Sequence, residues 1–335
     1  MKIGILGAGT WGIALAALLA NNNHDVIVWS ALPSEIDELQ STGRHKNLPG
    51  AKLPKNINYT KDIQAAATVE MILFVVPSSF IRSTAREISP YIPDGVIIAS
   101  AAKGVERDTL LTMTDVIGDE LCKCGVTAKY HLAALSGPTH AEEVALGIPT
   151  SIVAACENEE ISMRIADAFS NSCMRAYTNT DVLGVEISGA MKNIIALAAG
   201  INNGMGLGDN SKAMLMTRGI AEITRLGLAM GCKRRTFMGL AGIGDLIVTC
   251  TSRHSRNNRC GELIGMGKSY EEASREIGMV VEGYHALEAA MELSKKYEVE
   301  LPITEAVYKV IKEGLSPKDA MLSLMVRDLK SELDT

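Results

Sequence analysis

Ile3-Gly-Ile-Leu-Gly-Ala-Gly-Thr-Trp-Gly12 is a short apolar run that breaks into Gly7, Gly9 and Gly12, and its reading decides the fold. A strand ending at Leu6 would deliver the backbone into a tight turn at Gly7. The missing side chain at Gly9 leaves room for a pyrophosphate. Gly12 lets the next helix pack close to the sheet with its first N–H groups aimed at the phosphates. Such glycine spacing recurs wherever backbones pack tightly, so the context carries the weight. A helix pattern over 10–21 follows the motif, and a second strand pattern runs from Val26 to Trp29. That βαβ setting predicts a dinucleotide site.

Residues 3–23 carry no charge and follow Lys2, which gives them a superficial likeness to an export signal or a membrane helix. The glycines between 4 and 12 would make a poor continuous helix, and Asn21-Asn-Asn23 leads directly into another β-rich run. The export reading is therefore rejected, and no membrane insertion is expected.

The strand and helix patterns continue outward from this unit. Further strands are expected over 70–76, 95–100, 130–136, 150–155 and 173–178. Amphipathic stretches lie between them at 34–42, 79–89, 109–122, 139–146 and 158–171. Continuous apolar strands separated by helices predict an α/β, doubly wound, mostly parallel sheet covered on both faces. After about residue 180 the β-branched runs give way to helical patterns at 181–201, 211–231, 269–277, 281–297, 303–313 and 316–324. Two domains are expected, residues 1–185 and an all-α C-terminal domain over 186–335.

The bulk properties of the 335 residues agree with a soluble two-domain protein: 47% are hydrophobic, 21% are charged and the net charge is −6. An acidic balance argues against nucleic acid as a partner, since that needs a basic face. The seven cysteines are odd in number and scattered, which reads as reduced thiols in a cytoplasmic protein. Cys122 and Cys124 have no second pair nearby, so no metal is expected.

Several polar constellations fall at expected strand ends or between helices. Lys103 follows the strand ending at Ser100, where an ordinary solvated lysine is the plainer reading. Gly137 and Pro138 turn the chain after Ser136, and Thr139 is placed either to cap the next helix or to meet a ligand. Lys192 lies in Glu186-Ile-Ser-Gly-Ala-Met-Lys-Asn-Ile-Ile-Ala-Leu-Ala-Ala-Gly200, whose small residues imply close packing. Desolvation there would disfavour its charged form and suit it to proton transfer, against the plainer reading of a lysine that reaches water. Asn193 beside it is placed to position a polar ligand. Asp245 lies in what reads as a flexible, glycine-lined loop. Thr249 to Arg259 holds three arginines, two asparagines and four hydroxyls without an acid, a composition suited either to gripping phosphate or to an ordinary solvated loop.

Gly7-Ala-Gly-Thr-Trp-Gly12, Ser136-Gly-Pro-Thr-His-Ala-Glu-Glu-Val144, Lys192-Asn193, Gly239-Leu-Ala-Gly-Ile-Gly-Asp-Leu246, Thr249-Cys-Thr-Ser252 with Ser255-Arg-Asn257, and Val281-Glu-Gly283 occur in this order. The set resembles the bacterial NAD(P)-dependent sn-glycerol-3-phosphate dehydrogenases over nearly the whole chain. The resemblance implies a Rossmann-type domain followed by a helical one. It also implies interconversion of dihydroxyacetone phosphate and sn-glycerol 3-phosphate with NAD(H) or NADP(H), at the entry to phospholipid backbones. Lys192 then matches the proton acceptor, and Asp245 orients the lysine or the substrate. Lys103, Gly137, Thr139, Asp245, Ser255, Arg256 and Asn257 match substrate positions. Thr10, Trp11, Lys103, Ala141, Arg256, Val280 and Glu282 match cofactor positions.

The chain departs from the family in places. Ser30-Ala-Leu-Pro33 lacks both the acid that binds a ribose 2′-hydroxyl and a basic residue, which leaves the choice between NAD and NADP open. Arg44, His45 and Lys46 in the next loop are candidates to meet a 2′-phosphate. His140 replaces an aromatic residue and Asn258 one that is often basic. Two other readings compete: a related lysine-using dehydrogenase of the ketopantoate or hydroxyacid kind, and a non-catalytic dinucleotide sensor. A homodimer is the expected assembly, being the commonest closed one.

Overall fold

The computed structural model describes residues 1–329, 331 and 332. The chain divides into two compact units, Met1–Lys103 with Thr112–Val182, and Gly104–Leu111 with Leu183–Thr335.

In the first unit, apolar runs bounded by glycine, proline or asparagine become strands, and amphipathic stretches become the helices between them. The order is β1 (Lys2–Leu6), α1 (Thr10–Asn21), β2 (Asp25–Trp29), α2 (Pro33–Thr42), β3 (Ile57–Thr60), α3 (Ile63–Ala67), β4 (Met71–Phe74) and α4 (Ile81–Ile88). It continues with β5 (Val96–Ser100), α5 (Met113–Lys123), β6 (Tyr130–Ser136), α6 (Ala141–Ala145), β7 (Thr150–Cys156), α7 (Glu159–Phe169) and β8 (Met174–Asn179). These strands form one sheet of order β3-β2-β1-β4-β5-β6-β7-β8. Every neighbouring pair is parallel except β6 with β7. The chain winds outward from β1 to β3, then returns to β4 on the other side of β1. The crevice beyond β1 and β4 is the switch point where such sheets bind ligands.

Strand β3 was not expected from the sequence. It pairs with the outer edge of β2 and buries only Ile57 fully, so its four residues carry too little alternation to be seen. The expected helix over 109–122 begins later, at Met113. Gly104–Leu111 instead belongs to the second unit, because Val105 and Leu110 pack on that unit's core. The boundary expected at 185/186 accordingly falls at 182/183, with this short segment crossing over.

The second unit is helical: α8 (Val182–Gly204), α9 (Asp209–Ala229), α10 (Arg234–Phe237), α11 (Asp245–Thr251), α12 (Arg256–Gly265), α13 (Tyr270–Ile277), α14 (Glu282–Tyr297), α15 (Pro302–Lys312) and α16 (Pro317–Met325). Helix α8 is the only described helix long and apolar enough to cross a membrane, and 89% of its most apolar window is buried inside the fold. It is the axis around which the unit packs. A Cβ on Gly200 would lie 2.0 Å from the Asn258 carbonyl oxygen, and one on Gly261 would lie 2.1 Å from that of Leu197. Gly204 and Gly265 repeat the contact one turn further along, so α8 and α12 touch backbone to backbone.

Candidate active site

Three groups of side and main chains gather the candidates. The first is the turn after β1. Gly7 adopts φ +123°, a conformation that favours glycine, and its N–H donates to the Trp29 carbonyl at 2.8 Å. A Cβ on Gly12 would stand 2.0 Å from the Gly7 carbonyl oxygen, whereas one on Gly9 would meet nothing within 4 Å. Gly9 is the N-cap of α1 and offers no side chain to its first N–H groups. Thr10 and Trp11 open the helix, and α6, which starts at Ala141, packs against it. An open backbone turn feeding an uncapped helix start fits the pyrophosphate of a dinucleotide.

The second group lies at two neighbouring strand ends of the same unit. Lys103 Nζ reaches the Gly137 carbonyl at 3.4 Å. Thr139 directs its N–H and its hydroxyl to that same carbonyl, at 2.8 and 3.2 Å. Thr139 therefore does not cap α6. That place belongs to His140, because the turn at Gly137, with φ +152°, folds the Thr139 hydroxyl backwards.

The third group is in the second unit and is the most tightly built. Lys192 is 6% exposed in the middle of α8, so the packing expected around it is present. Its Nζ donates to Asp245 Oδ1 and to Thr249 Oγ1, each at 2.6 Å. The Thr249 hydroxyl in turn donates to the Asp245 carbonyl oxygen at 2.6 Å, which fixes its lone pairs toward the lysine. Burial disfavours the ammonium while the adjacent carboxylate favours it, so proton affinity at Nζ is set by two opposed effects. Breaking such a buried pair from one side costs about 3–5 kcal/mol.

The expected flexible loop at Asp245 is instead helical. Leu240–Gly244 forms a π-turn that runs into α11, with Asp245 as the first residue of that helix. Gly242 is required there by close approach, since its Cβ would lie 2.1 Å from the Phe237 carbonyl oxygen. The basic stretch also folds further than expected, because Ser255 caps α12 by accepting from the Asn258 N–H at 3.2 Å. Arg253 and Arg259 are exposed, and only Arg256 is drawn in, donating to the Val280 carbonyl at 3.0 Å. Asn257 works as a stitch. Its Nδ2 donates to Asn193 Oδ1 and its Oδ1 accepts from the Gly283 N–H, both at 2.9 Å. These bonds tie α8, α12 and the start of α14, where Glu282 lies, into one network beside Lys192. Among the described residues no cluster of three or more His, Cys, Asp or Glu side chains could hold a metal ion.

The roles of two residues were not evident from the sequence. Thr249 is one helical turn after Asp245, a spacing that would have revealed it had α11 been recognised. Glu35 lies in the first turn of α2 and accepts a 2.6 Å hydrogen bond from Ser30 Oγ, so an acid does reach the end of β2.

Two family models match the chain: the N-terminus of NAD-dependent glycerol-3-phosphate dehydrogenase over residues 2–162, and its C-terminus over residues 181–322. The chain belongs to the NAD-dependent glycerol-3-phosphate dehydrogenase family. A relative from Lactobacillus delbrueckii subsp. bulgaricus, glycerol-3-phosphate dehydrogenase [NAD(P)+] 2, is 57% identical over 99% of both chains. One from Agathobacter rectalis, glycerol-3-phosphate dehydrogenase [NAD(P)+], is 47% identical over 99% of this chain and 97% of its own. The crystal structure of glycerol-3-phosphate dehydrogenase from Coxiella burnetii superposes with a TM-score of 0.91 at 36% identity, covering 97% of this chain and 99% of that one. Membership of the glycerol-3-phosphate dehydrogenase family thus extends through both units, including the α8–α11–α12 network around Lys192.

Proposed function

We propose that this chain interconverts dihydroxyacetone phosphate and sn-glycerol 3-phosphate with NAD(H) or NADP(H), supplying the backbone of glycerophospholipids in the cytoplasm as a homodimer. The observation that carries the reading is the buried Lys192–Asp245–Thr249 constellation in a chain related end to end to enzymes of that name.

The first unit is the dinucleotide domain, in which Gly7, Gly9, Thr10, Trp11, Gly12, Lys103 and Ala141 would hold the cofactor; in the second unit Arg256, Val280 and Glu282 are the candidate cofactor residues. Held there, a nicotinamide cofactor would supply the hydride exchange that the reaction needs at the substrate's carbonyl or carbinol carbon. Lys192 manages the matching proton. As an ammonium it protonates the carbonyl oxygen during reduction, and as an amine it accepts the hydroxyl proton during oxidation. Asp245 and Thr249 hold Nζ in one place, so the proton is delivered along a fixed direction.

Arg256 grips the substrate phosphate. One guanidinium N–H is engaged by the Val280 carbonyl, which orients the remaining donors as a fork. In the second unit Ser255, at the α12 start, adds to the polar groups around Arg256, and Asn193 and Asn257 keep these in register; in the first unit Lys103, Gly137 and Thr139 are the candidate substrate residues. Phosphate binding remote from the reacting carbon is then used to orient that carbon.

The test follows nicotinamide absorbance on adding dihydroxyacetone phosphate to the wild type, Lys192→Ala and Lys192→Arg. Oxidation is expected in the wild type, with turnover lower by about 10²–10⁴-fold in Lys192→Ala and nucleotide affinity retained. Lys192→Arg keeps a cation beside Asp245, so it separates lost chemistry from lost stability. A folded wild type that binds nucleotide without turning over this substrate would overturn the reading.

A further inference from the structure

We propose that Glu35 makes this chain selective for NAD(H) over NADP(H), by presenting a carboxylate to the adenosine ribose through a fixed contact with Ser30. The inference rests on reading the first unit as a dinucleotide site.

Position comes first. The Gly7 N–H donates to the Trp29 carbonyl at 2.8 Å, so Ser30, the next residue, sits directly beside the phosphate-binding turn. In doubly wound dinucleotide folds the end of the second strand is where ribose hydroxyls are met. Ser30 itself is buried, and its hydroxyl is committed: Oγ donates to Glu35 Oε2 at 2.6 Å and accepts from the Leu32 N–H at 3.1 Å. The bond runs back from the first turn of α2, opened by Pro33, and pins a half-buried carboxylate at the strand end. Among the described residues, no cation lies within salt-bridge distance of Glu35. Its carboxylate is therefore placed to accept hydrogen bonds from a ribose diol. A 2′-phosphate brought to the same place would set anion against anion.

The neighbouring cations do not reverse this balance. Asn47 Nδ2 donates to Thr10 Oγ1 at 3.2 Å, which brings the 44–47 loop to the start of α1. Within it, Arg44 and Lys46 are exposed. Burial holds His45 below its ordinary value, with Lys46 acting in the same direction, against the pull of Glu35, Glu38 and the Ala8 backbone. At neutral pH this favours the uncharged imidazole, which offers a 2′-phosphate no charge. The serine at position 30 thus does not replace the missing acid; it holds in place an acid that comes from five residues further along.

Titrating the purified protein with NADH and separately with NADPH, and following nicotinamide fluorescence, tests this without any substrate. The wild type is expected to bind NADH at least about tenfold more tightly. Glu35→Gln should shrink that ratio by about tenfold, chiefly by weakening NADH, as expected for loss of a charged hydrogen-bond acceptor. Ser30→Ala should move it the same way by less, and Glu38→Gln, on the same helix, should leave it alone. Equal or tighter NADPH binding by the wild type would overturn the proposal, as would a Glu35→Gln variant in which both affinities shift together. A protein that shows the expected ratio yet fails to reduce dihydroxyacetone phosphate would refute the proposed reaction and leave Glu35 standing. Efficient reduction with tighter NADPH binding would do the reverse.

Discussion

Glycine serves opposite purposes in the two units. After β1 it keeps space open: Gly9 has ordinary extended backbone angles, yet nothing occupies the volume where its Cβ would stand. Between α8 and α12 it fills space with backbone, since Gly200, Gly204, Gly261 and Gly265 each put a main-chain atom of the other helix where a Cβ would be. The first unit thus offers its ligand mainly peptide groups at a turn. The second brings helices close enough for side chains of α8, α11 and α12 to meet around Lys192. A main-chain site depends on local conformation, whereas a side-chain site depends on how far apart three helices lie.

The largest effect that separates the two comes from adding one methyl group to each. Gly261→Ala would push Cβ against the Leu197 carbonyl oxygen at 2.1 Å and the Ile201 nitrogen at 2.9 Å, neither of which can swing aside. Parting α8 from α12 should cost about 2–3 kcal/mol of stability and lower turnover, with nucleotide affinity falling by less than in Gly9→Ala, since of the cofactor residues only Arg256 sits on α12. Gly9→Ala should leave stability within about 0.5 kcal/mol, as for a substitution into open space, and weaken NADH binding by about tenfold. Urea midpoints and fluorescence titrations of both variants measure this. A destabilised Gly9→Ala, or a Gly261→Ala with NADH binding weakened as much as in Gly9→Ala, would break the distinction.

The same distinction explains what the sequence showed. The first unit was legible because its determinants are local: apolar runs, the 7–9–12 glycines and prolines at element ends fix most strands without knowledge of neighbours. Only the edge strand β3, with one fully buried residue, was invisible. In the second unit Lys192 and Asp245 stood out by residue type, but their pairing did not, because 53 residues separate them along the chain. The glycines around Asp245 suggested a loop, since spacing alone cannot separate flexibility from close packing. Thr249 and the Asn193–Asn257–Gly283 stitch depend on that packing and so were hidden. Glu35 was hidden for a smaller reason: an acid was sought next to β2, and it comes back to the strand end from the following helix.

A smaller effect contrasts two buried glutamates, one in each unit. Glu120, on α5, accepts from Arg86 Nε at 2.6 Å and from Arg82 Nη1 at 2.9 Å on α4. The Arg86 hydrogen bond, with Arg82 adding to it, holds its carboxyl below the ordinary range. A folded value below the unfolded one gives stability that is present above the unfolded pKa, about 4.3, and is lost as pH falls through the folded value. From pH 5 to pH 3 the wild type should therefore lose about 1–2 kcal/mol more than Glu120→Gln, a modest figure because Arg86 lies largely in solvent. Glu222, on α9, accepts from the Ile303 and Thr304 N–H groups at 2.9 Å, and burial pushes it up in spite of them. Its contribution has the opposite sign: present below the unfolded value and lost as pH rises through the folded one. Urea midpoints across pH for the two glutamine variants should diverge in opposite directions, and parallel curves would remove the contrast.

The smallest effect is chemical and leaves the fold untouched. Cys122 and Cys124 are exposed in the first unit, whereas Cys232, Cys250 and Cys260 are buried in the second. Burial raises the Cys250 thiol to about 12, although Lys192 pulls the other way, and raises Cys260 to about 11. Only a thiolate attacks an alkylating reagent, and at pH 8 Cys250 would hold roughly one part in 10⁴ of it even with free access. A brief iodoacetamide pulse read by mass spectrometry should therefore label Cys122 and Cys124 and spare Cys250 and Cys260. Those two thiols then become reporters of the helix contact, because Cys260 adjoins Gly261 and the Cys250 carbonyl accepts from Asn258 Nδ2 on α12 at 2.9 Å. If labelling proceeds through opening of the second unit, Gly261→Ala should accelerate it at both positions by about 30–150-fold, matching its loss of stability. Cys122 and Cys124 should label at the wild-type rate in that variant. Cys156, buried in the first unit, is the thiol there that needs opening to react, and acceleration at Cys156 equal to that at Cys250 and Cys260 would mean that the chain opens as one cooperative body.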